Sequence, residues 1–163
     1  MYQMNKKGFT LIELIMAIVI AGVLIGAFSA VINTGINIYL FVGGQKTLMM
    51  ETRGAIKRMV REIRRTKDTT AASIVTFTAT EYEFKDIDDT TIEYKQVGTN
   101  LERNTAVLLE HLQNPGGLEF EYLDASGATT ATREDIRAVR ITLIVVDGDN
   151  RIRLQSSARI RNE

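Results

Sequence analysis

Charge nearly vanishes from the early part of the chain. Lys6 and Lys7 precede an apolar run, Glu13 lies just inside it, and no charged side chain follows until Lys46. Leu14 to Ile32, LIMAIVIAGVLIGAFSAVI, is almost wholly apolar. A bilayer core takes about 20 such residues as a helix, and a lone segment in lipid must satisfy its own backbone, which a helix does. The pattern predicts a membrane-spanning helix over about 9–32. The upstream lysines keep the start cytoplasmic and send the remainder across.

The helical period continues past the span. Leu48, Thr52, Ala55, Met59, Ile63 and Thr66 recur at steps of three and four, with Ile56 and Val60 alongside, an amphipathic stripe. Gly35, Gly43, Gly44 and Gly54 weaken it, and Gly43–Gly44 is a place for a bend. One helix over 9–68, roughly 90 Å long, is the expectation.

After Asp68 the period becomes alternating. Val75 and Phe77, Tyr82 and Phe84, Ile92 and Tyr94, Leu118 with Phe120 and Tyr122, Val139 through Val145, and Ile152 with Leu154 read as half-buried strands. DIDD (Asp86 to Asp89) and DGDN (Asp147 to Asn150) read as hairpin turns, and NPGG (Asn114 to Gly117) as a break. Ala106 to Leu112 fits a strand or a short helix. The fold class is α+β: a long N-terminal helix, transmembrane then periplasmic, packed on a mainly antiparallel β-sheet domain over 69–163.

Composition narrows the function. The 163 residues carry 20 Lys+Arg against 20 Asp+Glu, one His and no Cys. Zero net charge argues against a nucleic-acid binder working through a basic surface. Without Cys there are no disulfides, thiolate metal sites or thiol nucleophiles. His111 sits among leucines in VLLEHLQ and reads as a structural or surface residue. No nucleotide or hydrolase fingerprint is present. Plain turn chemistry is the leading reading of the two acidic turns; Ca²⁺ held by their carboxylates and carbonyls is the alternative, although neither has the ligand spacing of an EF-hand. No enzyme activity, cofactor or metal is expected. Lys57, Arg58, Arg61, Arg64, Arg65 and Lys67 cluster near the predicted helix end. There they suit a solvated face that complements the helix dipole, or a charged contact with a neighbouring subunit.

Glu13 stands out, because a carboxylate in an apolar span needs a partner or a task. A secretory signal peptide, with small residues near Ala27 to Ala30, or a plain signal anchor gains nothing from it. KKGFTLIELIMAIVIAGVL, Lys6 to Leu24, resembles the prepilin-type cleavage and methylation segment of type IV pilins and type II secretion pseudopilins. The resemblance implies a cytoplasmic leader, 1–8, which a membrane prepilin peptidase removes by cutting between Gly8 and Phe9. The same type of enzyme then N-methylates Phe9. In that family the glutamate, here Glu13, meets the terminal amine of a neighbouring subunit during assembly. Glu13 also lies four residues beyond Phe9, on the same helix face and about 6 Å along the axis. Gly22 and Gly26 form a G-x-x-x-G, a face for helix packing. The helix-kinking Pro of many major pilins is missing near Ala30.

The domain carries a second resemblance. Leu101-x-Arg103, a leucine-rich connector, Phe120-x-Tyr122 and Val139-Arg140-x-x-Leu143 follow in an order similar to the J-like minor pseudopilins and W-type minor pilins. This implies a minor pseudopilin of a type II protein secretion system, with a minor pilin of a type IV or competence pilus as the alternative. It also implies inner-membrane anchoring, a periplasmic domain, and partners among I-, K- and H-like and major pseudopilins. A secreted hydrolase or binding protein behind a signal peptide is a third reading, weakened by Glu13 and by the lack of a catalytic set.

Overall fold

The computed structural model describes residue 8 and residues 10–161. Helix α1 spans Leu11–Ile63, 53 residues without interruption. Two compact units divide the chain, one through Gly43 and one from Gly44. In the first unit the described residues after Thr10 are helix, and none is buried. Its large apolar side chains, from Leu11 to Val42, point outward on every side. A helix apolar all round belongs in lipid or inside a bundle, and α1 is long and apolar enough to cross a membrane.

In the second unit the helix becomes one-sided and packs on antiparallel sheets. Leu48, Thr52, Ala55, Ile56, Met59 and Ile63 are buried, which is the periodic stripe of the sequence. Thr52 is the polar member, and its hydroxyl donates to the Leu48 carbonyl at 2.6 Å. Gly43 and Gly44 continue the helix rather than ending it. The last turn tightens: Arg65 and Thr66 amides donate to the Glu62 and Ile63 carbonyls at 2.9 and 3.0 Å, the three-residue spacing typical of helix ends.

A five-stranded antiparallel sheet runs in sequence order: β1 (Ile74–Phe77), β2 (Glu81–Lys85), β3 (Thr91–Val97), β4 (Asn100–Arg103) and β5 (Ala106–Leu109). A three-stranded one follows: β6 (Leu118–Leu123), β7 (Ala138–Asp147) and β8 (Asn150–Arg159). The segment left open at Ala106 is thus strand at its start. The acidic turns fall at the hairpins β2–β3 and β7–β8. One strand differs in phase. Ile74, not Val75, faces the core, and Val75 is exposed, because a register irregularity between Ile74 and Thr76 shifts the alternation.

The two sheets share one core. Tyr82 of β2 lies 5.8 Å from Phe120 and 5.5 Å from Tyr122 of β6, ring to ring. The Tyr122 hydroxyl donates to the Thr78 carbonyl at 2.8 Å. Gln96 ties β3 to the connector, donating to the Gln113 carbonyl at 2.8 Å and accepting from the Leu118 amide at 2.9 Å. Gly117 closes the NPGG turn, where any Cβ would press into the Gln113 backbone.

Candidate assembly and processing site

Helix α1 begins with a reciprocal cap. Thr10 precedes the first helical residue. Its amide and its hydroxyl both donate to Glu13 Oε2 at 2.9 Å, and the Glu13 amide returns a longer bond to Thr10 Oγ1 at 3.4 Å. Three residues apart, Thr and Glu satisfy each other's orphan groups as a capping box. The box was readable as T-L-I-E but is eclipsed in the sequence by the question of what Glu13 meets in lipid. Phe9, the expected methylation site, lies outside the described residues. Gly8 is described and exposed.

Along the apolar helix, a Cβ added at Gly22 or Gly26 would meet nothing within 4 Å, so this face is uncovered. Ser29 and Thr34 hydroxyls donate back to the Ile25 and Ala30 carbonyls at 2.9 and 3.0 Å. Both polar groups are therefore satisfied within the helix, as an apolar surrounding demands.

At the other end, α1 is fastened to the first sheet through one carboxylate. Glu62 Oε2 accepts from Arg103 Nε of β4 at 2.8 Å and from the Tyr94 hydroxyl of β3 at 2.7 Å. Its Oε1 accepts from Arg58 Nε, one turn back, at 3.0 Å. Burial alone would push Glu62 up. The donors Arg103, Tyr94 and Arg58 outweigh it and hold the carboxyl below its usual range. Burial, and then the Glu62 charge, push the Tyr94 hydroxyl up, while Glu62 raises Arg103. Sequence reasoning treated Arg103 only as part of a motif and did not pair it with Glu62, 41 positions away.

The first acidic turn, Asp86 to Asp89, is occupied by the protein itself. Asp86 Oδ1 accepts from the Asp88 and Thr90 amides at 2.9 and 3.0 Å, Arg65 pairs with Asp86 and Asp88, and Lys67 bonds Asp89 at 2.6 Å. Among the described residues, no group of three or more His, Asp or Glu side chains is placed to hold a metal ion. His111 is exposed with φ 63°, and its carbonyl accepts from Val146. The residues of the second motif set carry packing: Leu101, Phe120, Tyr122, Val139 and Leu143 are buried, and Arg140 bonds Glu121 at 2.7 Å.

Residues 3–29 match the family described as the prokaryotic N-terminal methylation motif. Comparison with curated proteins returns no match. The motif supports a type IV pilin-like protein and implies processing by a prepilin peptidase and membrane-associated assembly. With the apolar helix, it suggests a single-pass, membrane-anchored chain, and proteins of this kind are typically structural rather than catalytic.

Proposed function

We propose that the chain is a minor pseudopilin of a type II protein secretion system. It is cut after Gly8, N-methylated on Phe9, and anchored in the inner membrane with its sheet domain in the periplasm. It joins I-, K- and H-like and major pseudopilins at the tip of a filament that supports export of folded proteins. The observation that carries this reading is Glu13, the single charge between Lys7 and Lys46, within a matched methylation motif. In the uncut chain Thr10 satisfies its Oε2. Cleavage brings the Phe9 ammonium within reach of the same carboxylate or a neighbour's, and a charge pair in lipid relieves both partners. Gly22 and Gly26 give the helix a face without side chains for close packing. The order of the Leu101, Phe120 and Val139 motifs supports the J-like subtype.

A clean deletion strain, scored for exoprotein release and surface pili together, tests the reading. Exoproteins trapped in the periplasm with normal pili are expected. Normal secretion with lost pili, motility or DNA uptake moves the chain to a minor pilin. Mass spectrometry of the mature protein should give N-methylated Phe9 as its first residue; a start near Ser29 would sink both readings.

A further inference from the structure

The last turns of α1 and the end of β8 enclose an open groove of about 1080 Å³. Its floor is apolar: Ile56, Val60 and Ile160. Lys57 and Arg61 line it from the helix, Arg64 and Arg65 from the turn that follows, and Arg159 and Arg161 from the chain end. All six are exposed; Arg65 pairs with Asp86 and Asp88, and the other five have no ion pair or side-chain hydrogen bond among the described residues. A neutral chain thus concentrates uncompensated positive charge in one cleft.

The wall formed by β8 is an open sheet edge. Among the described residues, strand β8 pairs only with β7. The Ile160 amide donates to the Arg137 carbonyl on the β7 side. Antiparallel alternation therefore turns the N–H and C=O groups of Ser157 and Arg159 outward. Side chains alternate as well. Ser156 and Ile160 face the helix across the cleft, whereas Arg151, Arg153 and Arg159 stand exposed at the alternate positions, Arg159 still bordering the cleft.

We propose that this groove takes an extended segment of a partner protein, added as a strand to the outer edge of β8, in which acidic residues alternate with small apolar ones. Its backbone meets the outward groups of Ser157 and Arg159. Its apolar side chains lie on Ile56, Val60 and Ile160, and its carboxylates, on the other face of the added strand, meet Arg153 and Arg159. A lipid headgroup or a nucleic-acid phosphate would use the cations alone and leave the apolar floor and the strand edge unemployed. The inference stands on the groove and is independent of the pseudopilin reading.

The test uses the full chain in zwitterionic nanodiscs and a fluorescent peptide of five Glu-Val repeats, followed by anisotropy and by hydrogen exchange of the β8 amides. Binding should be lost with a Gln-Val peptide. It should fall by about tenfold or more in the double variant Arg153→Glu, Arg159→Glu, whose two side chains make no ion pair or side-chain hydrogen bond among the described residues. Arg153→Gln, Arg159→Gln, with an unchanged melting curve, gives an intermediate loss. The Ser157 and Arg159 amides should gain protection in the complex. Binding without that protection would overturn strand addition. Failure of the Glu-Val peptide to bind, with or without capture of anionic vesicles or duplex DNA, would overturn the choice of occupant.

Discussion

Glu62 shows how one side chain fastens a helix to a sheet. Its two oxygens collect donors from α1, β3 and β4. Substituting glutamine keeps the shape and removes the charge, leaving Arg103 partly buried without its counter-ion. Glu62→Gln should cost about 2 kcal/mol in urea unfolding of the full chain in detergent. The pH dependence follows from the depressed carboxyl. Its contribution is fully present above the ordinary value of 4.5 and is lost as pH falls through the lower folded value. The gap between the parent and Glu62→Gln should hence be constant above about pH 5 and close in acid. A gap that widened in acid would reverse this assignment. Glu13 differs in kind, since among the described residues its donors come from Thr10 alone, and the residue before Thr10 is the one the proposed processing changes.

Among the elements, the hairpins show where local conformation costs energy. Asn104 and Thr105, between β4 and β5, both have positive φ, 47° and 71°, the pattern of a type I′ turn. Asn104 is suited to it: Oδ1 accepts from the Glu93 amide at 2.7 Å and Nδ2 donates to the Thr91 carbonyl at 3.0 Å. Thr105 is β-branched, and the left-handed region penalises it. Thr105→Gly should stabilise the domain by about 1 kcal/mol, read as a higher urea midpoint; a lower midpoint would mean that the chain entropy of glycine outweighs the relief. This turn escaped the sequence reading because Asn-Thr lacks the glycine that marks most two-residue hairpins. The α1 stripe and the acidic hairpins were legible because their signals are local, a repeat at three and four or a polar cluster between strands. The phase of β1 was not, since an irregularity beside Ile74 breaks the alternation that had put Val75 inside. The basic groove was half legible. Its helix cations form a run, but Arg159 and Arg161 join them only through the folding of a distant strand.

Taken whole, the chain divides its apolar residues between two solvents. In the sheet unit they are gathered into a single core under two sheets. Along α1 from Leu11 to Val42 they are exposed on all sides, an arrangement that water does not support and lipid does. An arginine in the middle of that stretch costs about 3 kcal/mol of insertion free energy by translocon scales. Ile18→Arg should accordingly shift the protein from the membrane pellet toward the soluble fraction on alkaline extraction, while Val75→Arg, at an exposed sheet position, should leave the distribution unchanged. Equal extraction of the two variants would remove the case for a spanning helix.

The clustering of donors on Glu62 also bears on how this sequence can drift. Arg58, Tyr94 and Arg103 each share the acceptor with two others, so losing any one leaves the carboxylate still paired. Losing the carboxylate strips a bond from all three donors at once; water can replace it for the exposed Arg58 but not for the buried Tyr94 or fully for Arg103, and an unmade buried bond costs more than a made one contributes. Variation is therefore open at the donor positions one at a time. At position 62 it is closed unless two or more of the others have already changed.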